Sequence, residues 1–130
     1  LAAAASKIKL LGLCANLPKE AQEERVYSLA IETMERLDCD FKIARKDVVV
    51  NSDYVGKAYG LPTMKMNEAL LLLARLEGLL FDPVYSGKAL AGMIDLIKQG
   101  RFNKGDSILF IHTGGEPGLF AYQNQLCVNS

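Results

Sequence analysis

The chain has 130 residues, half of them hydrophobic, and its 15 Lys and Arg balance its 15 Asp and Glu. This size and composition are typical of one compact domain or of a piece of a larger one. Charges of one sign form no long run, so we expect neither a nucleic-acid partner nor an anionic membrane surface. The apolar stretches around residues 70–73 and 79–84 are interrupted by charged residues, well short of the ~20 residues that a membrane span needs.

The beginning of the chain and its cysteines bear on processing and location. The first residues lack the basic start and cleavage site of a signal peptide, and Leu stands at position 1, so we expect a chain that begins in mid-sequence. Cys14, Cys39 and Cys127 are odd in number and widely spaced, which disfavours a disulfide framework and favours a reducing compartment, the cytoplasm. His112 has no companions at ligand spacing, so no metal site is expected.

The first half of the chain predicts a strand, a helix and a second strand. The sequence KIKLLGLCAN is a short, largely apolar strand. From Pro18 to Arg36, apolar residues recur at helical spacing behind an acidic first turn. DVVVNSD is a β-branched strand with a polar exit, and the YVGKAYGLPT that follows is a loop punctuated by Gly and Pro.

The second half continues the alternation of helices and strands. A helix is predicted from Thr63, a good N-cap, to Glu77, with Gly78 placed to end it. LLFDPVYSG then predicts a brief strand that breaks at its Asp-Pro pair. Ser86 is expected to cap a third helix that Gly100 ends, and SILFIHT is predicted to form the last strand. This order favours an α/β fold with three layers, a mostly parallel sheet with flanking helices.

Three loops at the predicted carboxyl ends of strands could form a site, because ligands gather there in parallel α/β sheets. Each loop places a hydroxyl next to glycine: Tyr59 before Gly60, Tyr85 and Ser86 before Gly87, and Thr113 before Gly114 and Gly115. Plainer roles are open for each. Ser86 could serve only as a helix cap, Thr113 could satisfy a backbone group, and the two tyrosines could be amphipathic core edges.

The same loops carry a family resemblance. AYGLP, EGLLFDPVYSGKALAGMIDLI and ILFIHTGGEPGLFAY, in this order, resemble the C-terminal portion of the D-cysteine desulfhydrase and 1-aminocyclopropane-1-carboxylate deaminase family. Members are pyridoxal-phosphate enzymes of the tryptophan-synthase β type, fold type II. The resemblance runs over nearly the whole chain and implies that residues 1–130 are the C-terminal portion of such an enzyme.

The resemblance also implies what this chain lacks and what the complete enzyme binds. The Schiff-base lysine, the phosphate loop and a substrate-side serine belong to the N-terminal half of the family, so this chain alone should be inactive. The complete enzyme should hold pyridoxal 5'-phosphate, take a small amino-acid substrate and form a homodimer. Tyr59 and Tyr85 would be catalytic and face the substrate. The implied cofactor-binding residues are Thr113, Ser86, Gly114 and Gly115.

Two positions favour one branch of the family over the other. The deaminases carry glutamate where Ser86 stands and leucine where Thr113 stands. A carboxylate favours a protonated pyridine ring, whereas a hydroxyl can donate to a neutral ring nitrogen and leave a weaker electron sink. Because β-elimination lets the charge depart with the thiolate, we predict conversion of D-cysteine to pyruvate, ammonia and hydrogen sulfide. The alternatives are 1-aminocyclopropane-1-carboxylate deaminase activity, L-cysteate sulfo-lyase activity, and a non-catalytic α/β binding or assembly fragment.

Overall fold

The computed structural model describes residues 8–40 and 42–126. The described elements are β1 (Gly12–Leu13), α1 (Lys19–Arg36), a 3₁₀ turn (Arg45–Asp47), β2 (Val50–Asn51), α2 (Met64–Glu77), α3 (Ser86–Lys98), a 3₁₀ stretch (Glu116–Tyr122) and α4 (Gln123–Leu126). None of the described helices is both long and apolar enough to cross a membrane.

Strands β1 and β2 form a parallel pair with α1 as the crossover between them. Gly12 is paired with Val50, and the N–H of Cys14 donates to the carbonyl of Asn51 at 2.9 Å. Parallel strands need such a long connection, because a tight turn can only reverse the chain. The predicted strand–helix–strand order and the α/β class are therefore confirmed.

Helices α2 and α3 enclose the core of the described residues. Met66 and Leu90 lie at its centre and are almost fully buried, and each contributes about 1.5–3 kcal/mol by leaving water. The predicted caps of α2 are confirmed. The hydroxyl of Thr63 accepts the N–H of Met66 at 3.2 Å, and Gly78 takes the left-handed φ of 67° just past the helix end.

Gly87, the second residue of α3, allows this helix to approach its neighbours closely. A Cβ on Gly87 would lie 2.5 Å from the carbonyl oxygen of Asp82 and 3.0 Å from Cδ2 of Leu70. Such distances are far below van der Waals contact, so only glycine lets α3 begin this close to α2 and to the segment before it. The start of α3, which carries part of the predicted site, is thereby fixed against the core.

Two predicted strands do not join a sheet in the described part of the chain. Residues 79–87 and 107–113 form no ladder there, so the described sheet has two strands where four were predicted. A strand persists only when a neighbour pairs its backbone groups, and no described segment does so here. The apolar side chains of the second segment are correspondingly uncovered, with Leu109 87% exposed.

Candidate active site

Asp82 is the central polar residue of the candidate site, and it lies in the segment between α2 and α3. Asp82 is 2% exposed, and its carboxylate accepts four hydrogen bonds. Oδ2 accepts the N–H groups of Val84 and Tyr85, both at 2.7 Å, and Oδ1 accepts the N–H of Ser86 at 2.7 Å and its hydroxyl at 2.6 Å. Burial by itself would raise the pKa of Asp82, but these hydrogen bonds outweigh it and lower the pKa.

This arrangement corrects the role predicted for Ser86 as a helix cap. Ser86 is the first residue of α3, Tyr85 holds the N-cap position without a side-chain cap, and the carboxylate of Asp82 binds the free N–H groups of the first turn. A carboxylate suits this place, because it satisfies those donors and complements the positive end of the helix dipole. The hydroxyl of Ser86 also accepts the N–H of Asp82 at 3.0 Å, which closes the loop on itself.

Gly115 joins the third predicted loop to the same carboxylate. Its φ is 101°, and a Cβ there would lie 2.9 Å from both Cβ and Cγ of Asp82. Conformation and space therefore both require glycine at this position. Gly114 also has a positive φ, of 85°, but a Cβ there would meet nothing closer than Oε2 of Glu116 at 3.9 Å. A side chain at Gly115 would thus overlap Asp82, whereas one at Gly114 would not.

Tyr59 and Tyr85 come together although they lie on different loops. Their phenol oxygens are hydrogen-bonded to each other, and their ring centroids are 5.8 Å apart with planes inclined at 59°. Each side chain is about half exposed. The hydrogen bond with Tyr85 is the main cause of a raised pKa for Tyr59, so the phenol of Tyr59 keeps its proton at neutral pH.

Thr113 lies at the exposed end of the third loop. None of the described residues hydrogen-bonds its hydroxyl, which leaves one donor and the acceptor lone pairs available. The preceding residue, His112, holds the loop in place. Its Nδ1 accepts the N–H of Gly114 at 3.0 Å, and its Nε2 lies 3.1 Å from the carbonyl oxygen of Leu80. Its ring packs against that of Phe81, with centroids 4.4 Å apart and planes inclined at 54°. His112 is therefore a structural residue here.

The structure brings the predicted residues into one region through shared partners. Asp82 is hydrogen-bonded to Tyr85 and Ser86, a Cβ at Gly115 would overlap its side chain, and Tyr85 is hydrogen-bonded to Tyr59. Thr113 lies two residues from Gly115 and makes none of these contacts itself. The hydroxyl of Thr113, without a hydrogen-bond partner among residues 8–40 and 42–126, and the space beside Gly114 would fit a flat ring with a nitrogen acceptor, which is the group that the resemblance implies.

Two residues of this region were missed by the sequence analysis. Asp82 was noted only as a strand breaker, although an Asp shortly before a helix start is a recognisable signal for a capping turn. Lysine is rarely buried, so nothing in the local sequence marks Lys88 as a residue of this region. It is nevertheless 1% exposed, with Nζ donating to the carbonyl oxygens of Val55 at 2.6 Å and Ala58 at 3.3 Å.

A surface cleft of about 320 Å³ lies elsewhere and is lined by Tyr54, Lys65 and Asp95 among others. The carboxylate of Asp95 accepts from Lys65 at 3.1 Å and from the phenol of Tyr54 at 2.9 Å, and the ammonium of Lys65 is the main cause of its lowered pKa. Because these polar groups already satisfy one another, and because no predicted site residue lines the cleft, we place the candidate site at the three loops.

Comparison with known proteins agrees with the resemblance carried by those loops. A family model described as pyridoxal-phosphate dependent enzyme matches residues 1–114. Two curated relatives, from Burkholderia vietnamiensis and Burkholderia ambifaria, are named 1-aminocyclopropane-1-carboxylate deaminase. Each is 42% identical over 114 residues, which are 88% of this chain and 34% of the relative.

A solved structure agrees as well. It is titled as that of an ACC deaminase homologue and superposes with a TM-score of 0.81 at 31% identity, covering 94% of this chain and 36% of that one. The chain thus spans about a third of the length of these relatives. The predicted fold type II and the predicted cofactor class are confirmed, and the chain belongs to the family of pyridoxal-phosphate-dependent enzymes.

Proposed function

We propose that the complete enzyme releases ammonia from a small amino acid and that this substrate is D-cysteine, which with water gives pyruvate, ammonia and hydrogen sulfide. The observation that carries the proposal is the exposed hydroxyl of Thr113, which none of the described residues hydrogen-bonds, at a loop whose Gly114 leaves room for a ring. The family relationship supports the broader class, and this hydroxyl supports elimination within it.

Thr113 would set how strongly the cofactor withdraws electrons. Bound pyridoxal phosphate supplies an electron sink for the charge that develops at Cα. The hydroxyl of Thr113 has a proton to donate, and a donor stabilises an unprotonated ring nitrogen. The resulting weaker sink suffices for elimination, because the charge leaves with the thiolate.

Tyr59 and Tyr85 would bind and orient the substrate. In a pair of hydrogen-bonded phenols, one O–H proton lies between the two oxygens and the other O–H remains available. That free O–H can donate to the substrate carboxylate or take part in proton transfer at Cα. The exposure of both rings leaves the pair accessible from the solvent side of these loops.

Deamination of 1-aminocyclopropane-1-carboxylate is the second candidate, and the names of the relatives favour it. One contact of the structure supports it too. Ser86 gives its single hydroxyl proton to Asp82, so toward a ring nitrogen it could only accept. An acceptor backed by a carboxylate favours a protonated ring, which is the stronger electron sink that ring opening needs.

A substrate panel with the cofactor-loaded, complete enzyme separates these candidates. We expect sulfide and pyruvate from D-cysteine, and little ammonia from L-cysteate or 1-aminocyclopropane-1-carboxylate. Ammonia with 2-oxobutanoate from the cyclopropane substrate would replace the elimination proposal by the deaminase, and sulfite from L-cysteate would indicate a sulfo-lyase. A protein that gains no visible absorption when pyridoxal phosphate is added, and that releases no ammonia from any substrate, would instead be a non-catalytic binding or assembly fragment.

Two variants test which hydroxyl serves the ring. Thr113→Val keeps the shape but removes the donor, and we expect kcat/KM for elimination to fall by about fivefold, the equivalent of one hydrogen bond of ~1 kcal/mol. The cofactor's absorption spectrum should change in this variant and stay unchanged in Ser86→Ala. The opposite pattern would assign this role to Ser86.

The homodimer and the cytoplasmic location stay predictions, which size-exclusion chromatography and cell fractionation would test.

A further inference from the structure

Lys88 is a buried cation whose hydrogen-bond partners among the described residues are neutral. It is 1% exposed, and its ammonium donates to the carbonyl oxygens of Val55 at 2.6 Å and Ala58 at 3.3 Å. Among the described residues no carboxylate pairs with it. Burial lowers the pKa of Lys88, as expected for a cation removed from water.

The position of Lys88 in its helix makes this burial still less favourable. It is the third residue of α3, where the helix dipole is positive and disfavours a cation. Buried charges without a partner of opposite sign are rare, since desolvation is costly. An apolar side chain of the same length would fill the space without that cost. The ammonium must therefore provide something that packing alone cannot, and what it provides is donors for two loop carbonyls.

Those two carbonyls belong to the loop that carries Tyr59. The loop has little regular structure of its own, with a hydrogen bond from the N–H of Leu61 to Ala58 at 3.3 Å and a positive φ of 72° at Gly60. Its far end is held separately, since the phenol of Tyr122 donates to the carbonyl oxygen of Gly60 at 2.7 Å. Lys88 thus holds the near side of the loop and Tyr122 the far side, with Tyr59 between them.

We propose that Lys88 is a positioning residue whose ammonium holds the backbone of residues 55–58 so that the phenol of Tyr59 meets the phenol of Tyr85. The helix that begins with Ser86 thereby fixes both members of the pair. Tyr85 directly precedes the helix, and Lys88, inside its first turn, reaches across to the loop of Tyr59. The catalytic part of this inference depends on the proposed role of the tyrosine pair, whereas the effect on the loop does not.

The decisive variant is Lys88→Met in the complete, cofactor-loaded enzyme, because Met matches the length of Lys without its donors. Thermal unfolding should stay cooperative, with a midpoint equal to or above that of the wild type, since a desolvated charge is removed. The amide protons of Val55 and Leu61 should exchange with solvent at least ~10-fold faster, because the loop opens locally more often. Exchange in α3 itself should not change. Unchanged exchange at both loop amides would overturn the proposal.

A coupling experiment shows whether Lys88 acts through Tyr59. We expect Lys88→Met to lower kcat/KM about tenfold in the wild-type background and less than about twofold when Tyr59→Phe is already present, because residues that act through one another are not additive. Lys98→Met, an exposed lysine at the end of the same helix, is the matched control and should change neither exchange nor kcat/KM. A full tenfold loss in the Tyr59→Phe background would contradict positioning of this residue.

A measurement on the unchanged enzyme keeps the test independent of how the variant folds. An ammonium fixed by two carbonyls exchanges its protons slowly, so Lys88 should give an NMR ammonium signal that the exposed Lys98 does not show. Equal, rapid proton exchange at both lysines would refute the proposed contact. If the enzyme releases no sulfide from D-cysteine but Lys88 still shows its slowly exchanging ammonium signal, the proposed reaction is wrong and the loop contact is not affected.

Discussion

Asp82→Asn is the substitution that best tests the architecture of the site. The amide keeps one acceptor oxygen, which can serve either the N–H groups of Val84 and Tyr85 or the N–H and hydroxyl of Ser86. Its NH₂ group then faces the other two donors. If the oxygen stays with Val84 and Tyr85, the buried N–H of Ser86 loses its acceptor. An unsatisfied buried donor costs about 1–3 kcal/mol, and loss of the charged acceptor at the helix start adds up to ~1 kcal/mol. We therefore expect the free energy of unfolding at pH 7 to fall by about 2–3 kcal/mol.

Urea unfolding across pH checks both the size and the cause of this effect. The folded-state pKa of Asp82 is lowered, so its contribution is present above the ordinary Asp value of about 4 and is lost as pH falls through the folded-state value. The difference between wild type and Asp82→Asn should therefore shrink in acid. Asp106→Asn is the control, because this exposed carboxylate accepts the N–H of Asn103 at 2.8 Å. Equal losses for both variants, or a pH-independent difference, would refute the central role of Asp82.

Two further substitutions probe contacts of the same region. Gly115→Ala combines an unfavourable positive φ with overlap on Asp82 and should lower the free energy of unfolding by about 2–4 kcal/mol. Gly105→Ala is the control, because Gly105 has a φ of 100° and nothing within 4 Å, and it should lose only the backbone part of about 1 kcal/mol. Equal changes in melting temperature for the two variants would exclude the overlap. Tyr85→Phe removes the main cause of the raised pKa of Tyr59, so in a spectrophotometric titration Tyr59 should ionise at a lower pH, near the ordinary value of about 10, and an unmoved titration would contradict the pairing.

The helices could be predicted from local signals in the sequence. The features that could not be predicted depend on partners far away in the chain. Thr63 and Gly78 act within one turn of α2, so their roles follow from residue type and spacing alone. The strand predicted at residues 107–113 has the right composition, but its pairing depends on a neighbour that the described residues do not supply. Lys88 donates to the carbonyl oxygens of Val55 and Ala58, which lie 33 and 30 positions earlier in the chain, so its partners are visible in three dimensions only.

The small size of the described sheet also explains why the buried polar side chains of the described residues lie at and just before the start of α3. With only two short strands in the described sheet, ladder hydrogen bonds do not align the candidate loops there. Instead, Asp82 binds the first N–H groups of α3 and lies beside Gly115, and Lys88 binds backbone carbonyls of the loop that carries Tyr59. Each contact replaces a backbone ladder by one side chain whose burial is costly unless all of its partners are in place. The loops are therefore held in register only when these two residues are fully hydrogen-bonded, and a substitution at either should disturb the site before it disturbs the α2–α3 core.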